Sequence, residues 1–259
     1  MQSIKKILEK SRLALVGSTL GKLRKLEIWQ WTDKDQSAAL QKQRLNRLLV
    51  HSYHHVPYYR EILRSADVVG ESGEVNMESF GNIPLLDKAM IRSHFKELKS
   101  DDLFTRKWYK NSSGGSTGEP VSFIQDLTYA DWTSAIKILY DSWTNYSIAE
   151  RKIRLWGSIR DLSAVKDSFK NRLIKWLNND VWLNAFRMTP FEMRGYVEKI
   201  NELKPVQILA YAESIYELSH FIEREGLGVY SPRAIMTSAG TLFPHMRDTI
   251  GRVFKAPRY

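Results

Sequence analysis

Residues 111–120, Asn-Ser-Ser-Gly-Gly-Ser-Thr-Gly-Glu-Pro, are the stretch of this sequence best equipped for chemistry. Gly114, Gly115 and Gly118 permit backbone turns that a side chain would forbid, so successive amide N–H groups can converge on one anion. Ser112, Ser113, Ser116 and Thr117 add hydroxyl donors. Such a set suits phosphate oxygens without a fixed positive charge. It is not a Walker A loop, because no Gly-Lys-Ser/Thr closes it. On composition alone a plain hairpin tip explains the stretch equally well. Residues 106–110 and 121–125 both read as extended, so the loop is expected to join two strands.

Other polar residues offer less. Of the six histidines, His51, His54 and His55 gather near an expected helix end without a carboxylate at ligand spacing. A solvated or capping role is expected for them, and no metal site. Asp126 and Asp131 read as capping groups rather than general bases. The chain has no cysteine, which excludes disulfides, thiolate metal sites and a cysteine nucleophile and fits a reducing compartment. A cytoplasmic protein is expected: Glu9, Lys10 and Arg12 interrupt the N-terminal apolar residues before they reach export length, and no run approaches a membrane span.

The elements that must position these groups belong to a packed protein. The hydrophobic fraction is 43%, with eight Trp, twelve Tyr and ten Phe, enough for one large core or two modest ones. The net charge of +10 is concentrated in residues 1–60, which hold twelve Lys and Arg against four Asp and Glu. Such a segment could dock on an anionic membrane surface or on nucleic acid. The plainer reading is a solvated helical face, and nucleic acid is the poorer partner because no surface interleaves aromatic with basic residues.

Leu40, Leu45, Leu48 and Leu49 approximate helical spacing, and the helix they predict should end at Val56-Pro57. Trp132, Ile136, Leu139, Tyr140 and Trp143 make one stripe of a second helix, for which Thr128 and Asp131 have capping-box spacing. Thr189-Pro190-Phe191-Glu192 is the clearest helix start, leading to Met193, Val197, Ile200 and Leu203. An apolar run over 206–210, a helix from about 213 to 225 closing on Gly226, a short strand over 234–237, a turn at Ser238-Ala239-Gly240 and a helix opened by Pro244 follow. This alternation predicts an α/β layer with a largely parallel sheet, which binds ligands beyond the carboxyl ends of its strands.

Ser-Ser-Gly-Gly-Ser-Thr-Gly-Glu-Pro resembles the phosphate-binding loop of adenylate-forming enzymes. Gln43-Arg44-Leu45, Val56-Pro57-Tyr58-Tyr59-Arg60-Glu61, Ile83-Pro84-Leu85-Leu86-Asp87-Lys88, Leu155-Trp156-Gly157-Ser158, residues 208–218 and Thr237-Ser238-Ala239-Gly240-Thr241-Leu242 continue the pattern in order. Together they resemble the phenylacetate–CoA ligase branch, which includes relatives from capsular polysaccharide gene clusters and the coenzyme-F synthetases. The resemblance implies ATP-dependent activation of a small carboxylic acid as an acyl adenylate, with magnesium and, as usual acceptor, coenzyme A. By position, Ser112, Ser113, Gly114, Gly115, Ser116, Thr117 and Gly118 would contact the triphosphate. Ser238, Ala239 and Gly240 would lie along the adenine, and Trp156, Tyr211 and Ala212 near the acyl group.

Two departures stand out. Glu119 occupies a position where many relatives carry lysine, and Gly240 one that is often acidic. The sequence also reaches Tyr259 without the Tyr-Gly-x-x-Glu motif, ribose-binding aspartate, hinge and small C-terminal domain expected next. The resemblance therefore implies an incomplete large N-terminal domain, a basic helical segment over 1–65 followed by a partial adenylating domain over 66–259. Such a chain, with a possible link to capsular or surface polysaccharide formation, is not expected to turn over by itself. The alternative is a non-catalytic module that docks through residues 1–60.

Overall fold

Four short strands build the sheet at whose carboxyl end Trp156, Tyr211, Ala212, Ser238, Ala239 and Gly240 lie. The computed structural model describes residues 17–113, 120–147, 150–157 and 179–256. They fall into two units, residues 17–136 and residues 137–256.

In the second unit, β3 (Lys152–Trp156), β4 (Asp180–Asn184), β5 (Gln207–Tyr211) and β6 (Ala234–Ser238) pair in parallel in the order β4-β3-β5-β6. Parallel strands need crossovers: α6 (Pro190–Leu203) leads from β4 past β3 to β5, α7 (Ala212–Arg224) joins the neighbours β5 and β6, and α8 (Pro244–Phe254) follows the last strand. The inner strands β3 and β5 are largely buried on both faces, each opening on a buried polar residue, while β4 and β6 are more open. Ile153, Leu155, Ile208 and Ala210 meet Val197 and Ile200 of α6, Ile215, Leu218 and Phe221 of α7, and Ile250 and Phe254 of α8.

The helix starts follow local chemistry. Thr189 caps α6 by accepting the Glu192 N–H, with Pro190 in the first turn. Gly226 follows α7 at φ +63°, a left-handed position that suits a glycine.

A polar layer lies at the amino end of the sheet. Lys152 and Gln207 are register partners and both are fully buried. The Lys152 ammonium is 2.6 Å from Asp141, near the end of α5 (Leu127–Trp143), and lies 4.0 Å from the centre of the Tyr146 ring. Gln207 Nε2 donates to Thr144 Oγ1 at 2.7 Å. Burial lowers the Lys152 pKa from its ordinary value, and Asp141 offsets part of that shift.

In the first unit, α1 (Gly17–Trp29), α2 (Lys34–His55) and α3 (Pro57–Ser65) precede α4 (Lys88–Ser93) and a hairpin of β1 (Trp108–Ser112) and β2 (Ser122–Asp126). Leu49, Tyr53, Leu63, Val68 and Val69 form its small core. The helix expected over 36–50 ends at Val56, as the following proline requires. The capping box expected from Thr128 and Asp131 is corrected. Asp126 Oδ1 accepts the Tyr129 N–H at 2.7 Å and caps α5. Asp131 instead accepts from Ser18 Oγ at 2.6 Å and Lys22 at 3.1 Å, tying α1 to α5. The expected stripe on α5 is also uneven: Ala135 and Leu139 are buried, whereas Tyr140 and Trp143 are largely exposed.

Removing one partner of a buried ion pair leaves an uncompensated charge. Asp141→Asn should therefore lower the unfolding free energy by about 3 kcal/mol. The double variant Asp141→Leu/Lys152→Met should lose less, a comparison that urea denaturation can make.

Candidate functional site at the carboxyl end of the sheet

Parallel pairing brings the ends of β3, β5 and β6 to one edge. Tyr211 and Ser238 are register partners. Trp156, the last residue of β3, packs on Tyr211 with ring centroids 4.2 Å apart and planes at 32°. Ala212 is fully buried and opens α7 directly behind Tyr211. Six of the residues singled out from sequence, Trp156, Tyr211, Ala212, Ser238, Ala239 and Gly240, thus gather at one end of one sheet.

Phe186 belongs with them and carried no sequence signal. It follows β4, is exposed, and meets the Tyr211 ring edge-on at 6.0 Å. Tyr196 of α6 holds its loop by donating to the carbonyls of Asn184 at 3.0 Å and Arg187 at 2.9 Å. Burial raises the Tyr196 pKa, with Glu192 adding to the effect, which keeps the phenol protonated as that donor.

The turn after β6 is unusual in where it places its left-handed residue. Ala239, and not Gly240, has φ +59°. A non-glycine residue there costs about 1–2 kcal/mol, a strain that persists only where the surroundings fix it and that clusters at ligand sites. Gly240 has a different neighbour: a Cβ on it would meet the carboxylate end of the Glu213 side chain, in the first turn of α7, and that flexible end would have to move aside. A cavity of about 250 Å³ lies along β6, lined by Ile235, Met236 and Thr237 with Trp143, Ile250 and Gly251. None of the six gathered residues lines it.

The glycine-rich stretch begins in the other unit. The expected strand–loop–strand arrangement is present as β1 and β2, paired from Trp108↔Asp126 to Ser112↔Ser122. Ser113 closes the neck: its N–H donates to the Val121 carbonyl at 2.9 Å, and its Oγ accepts the Val121 N–H at 3.0 Å. The Ser112 N–H donates to Asn111 Oδ1 at 2.8 Å. Gly114, Gly115, Ser116, Thr117 and Gly118 lie outside the described residues.

The histidine expectation needs correction. His51 and His55 are not without carboxylates, because the turn before β1 brings Asp101 and Asp102 to them. His51 Nε2 lies 3.1 Å from Asp102 Oδ2, and His55 Nδ1 lies 2.8 Å from Asp101 Oδ1. The Ser100 hydroxyl, with His51 and Arg106 assisting, holds the Asp102 pKa down at about 2 despite partial desolvation. The partners sit 46 and 51 residues away, so local spacing could not reveal them.

The basic segment is partly engaged within its own fold. Lys22 is paired with Asp131, and the Arg44 guanidinium stacks 3.9 Å from the Trp29 ring centre. No helix among the described residues is long and apolar enough to cross a membrane.

No family model matches the sequence. The architecture is similar to that of a 2-hydroxyisobutyryl-CoA ligase solved with 2-HIB-AMP and CoA in the thioesterification state. The TM-score is 0.58 at 15% identity, covering 87% of this chain and 48% of that one. An open conformation of the same ligase gives 0.53, covering 83% and 50%. The fold is thus that of about half of an acyl-CoA ligase. In sequence, the chain is 23% identical over 226 residues to Protein CapK of Staphylococcus aureus, covering 84% of this chain and 48% of CapK. The chain is similar in sequence to CapK and in fold to an acyl-CoA ligase, and it spans about half the length of these relatives.

The contact at Gly240 can be checked directly. Gly240→Ala should cost about 1 kcal/mol or less, because the carbon it adds meets only the flexible end of the exposed Glu213 side chain. Glu213→Ala should recover most of that loss in the double variant. Additive effects of the two changes in a denaturation cycle would exclude the contact.

Proposed function

We propose that this chain forms part of an ATP-dependent, carboxylate-activating protein. The acyl group would lodge against Trp156, Tyr211 and Ala212, the adenine along Ser238, Ala239 and Gly240, and the triphosphate on residues 112–118. The observation that carries this reading is the register of Tyr211 with Ser238, with Trp156 packed on Tyr211. That is the end of a parallel sheet where such folds bind ligands. The sequence likeness to CapK and the fold likeness to an acyl-CoA ligase support it.

The available donors fit the ligand. Ser113 Oγ uses a lone pair on the Val121 N–H and keeps its own hydrogen for a second partner, as a phosphate oxygen would require. The aromatic faces of Trp156 and Tyr211 offer a flat apolar wall, while the Glu213 carboxylate beside Gly240 can accept from an amino or hydroxyl group. In the reaction, a substrate carboxylate would attack the α-phosphorus and pyrophosphate would leave, with hydroxyls and amides of 112–118 stabilising the charge that develops. Magnesium would share that charge when bound, and coenzyme A is the acceptor that the resemblance implies. A role in capsular or surface polysaccharide formation belongs to the same proposal. This reading is preferred to docking through residues 1–60, because Lys22 and Arg44 already have partners within the fold.

Calorimetric titration of the full chain with ATP and magnesium tests the proposal. Binding is expected in the wild type. Ser113→Ala/Thr117→Ala should weaken it by about 1–3 kcal/mol, the loss for hydrogen bonds to a charged group, and Ser113→Thr should retain it. No heat in the wild type, or no loss in the double variant, would remove the nucleotide reading.

A further inference from the structure

The histidine and aspartate cluster at the base of the hairpin does not belong to the site above, and its composition has a chemistry of its own. His51 and His55 stand four residues apart on α2, so they share one face of the helix. Their rings are 4.8 Å apart. Asp102 reaches them from the turn that precedes β1, and one ligand atom from each of His51, His55 and Asp102 lies within 4.8 Å of the other two. We propose that His51, His55 and Asp102 form a binding site for a divalent transition-metal ion, zinc in the first instance.

The donor set is two imidazoles and one carboxylate, which zinc accepts in sites that keep a fourth position for water. Hard cations such as magnesium and calcium prefer oxygen ligands and would be poorly served. The surroundings support the ligands. His55 Nδ1 is 2.8 Å from Asp101, and donating its proton there leaves Nε2 with the lone pair that a metal needs. The three side chains are neither deeply buried nor fully exposed, so an ion could enter from solvent. His51 and His55 also line a surface hollow with Asn46, whose Oδ1 is buried and has no hydrogen-bond partner among the described residues. That oxygen could accept a hydrogen bond from a water bound to the ion.

One residue opposes the ion and supplies a discriminating test. The Arg106 guanidinium lies 2.5 Å from Asp102 Oδ1 and 3.5 Å from His51 Nε2, so it serves as the local cation. A metal must displace it. If the cluster were only a hydrogen-bonded pin, removing Arg106 would have no reason to favour metal. If it is a metal site, removing Arg106 should increase affinity. The consequence for the fold is a staple: the ion would tie the end of α2 to the turn leading into β1, and so to the hairpin neck at Ser113.

The experiment uses the full chain, freed of metal by chelation and then titrated with zinc chloride near neutral pH, with cobalt(II) absorption as a second readout. Wild type should bind one zinc ion, give the visible absorption of four-coordinate cobalt, and gain on the order of 5–10 °C in melting midpoint at a hundredfold excess over the dissociation constant. His51→Ala and His55→Ala should each weaken binding by more than tenfold. Asp101→Asn, which changes only the support of His55, should weaken it about tenfold. Arg106→Met should bind more tightly than wild type. Absence of zinc binding in the wild type overturns the proposal. So does binding that survives the His51→Ala/His55→Ala double variant, or Arg106→Met binding more weakly than wild type. Circular dichroism identifies any variant that fails to fold, and the wild-type titration and cobalt spectrum decide the matter without variants.

Discussion

Pairing β5 between β3 and β6 in one register imposes several constraints at once. A strand that slipped by one residue would turn Ile208 and Ala210 away from their buried positions, so the core holds the register. The same register sets Gln207 beside Lys152 at one end and Tyr211 beside Ser238 at the other. The amino end is closed by buried polar contacts to Asp141 and Thr144. The carboxyl end is left to aromatic rings and a tight turn. The core thus does not merely support the candidate site; it determines which side chains can reach it.

The unit of residues 17–136 is organised differently. Its apolar core is small, and polar pins join its elements: Asp131 to the first turn of α1, Asp101 and Asp102 to the end of α2, Ser113 across the hairpin neck. Ion pairs as exposed as these add little stability individually. Their value is geometric, since each fixes the direction in which an element leaves another. The strands flanking the glycine-rich stretch are held this way at both ends of β1: the turn before it by the histidine–aspartate contacts, the residue after it by Ser113.

Where a signal was local, the sequence made the structure readable. Thr189-Pro190 opening α6, Gly226 after α7, Pro244 opening α8 and the proline after α2 all act through neighbours in the chain, and each element lies where those residues predict. Partners distant in sequence were not readable. Asp131 looks like a cap because Thr128 is near, yet its partners are Ser18 and Lys22, more than a hundred residues away. Strand β4 was not read from the sequence, although Asn179 turns the chain into it at φ +51°, so Phe186 beyond its end was not anticipated. Of the candidate site, Trp156, Tyr211, Ala212 and Ser238–Gly240 were legible from strand ends and from the family resemblance. The chemistry of Asp101 and Asp102 was not, because only folding sets them against the histidines.

The substitution at Gly240 has a wider meaning. The position is often acidic in the branch the sequence resembles, and this chain has glycine there. The carboxylate of Glu213, carried on the first turn of α7, fills the space that a side chain at 240 would enter. The Glu213 carboxylate thus sets a negative charge beside the end of β6, at a helix amino terminus where the backbone dipole favours it. The surface at that point meets any incoming molecule with an acid.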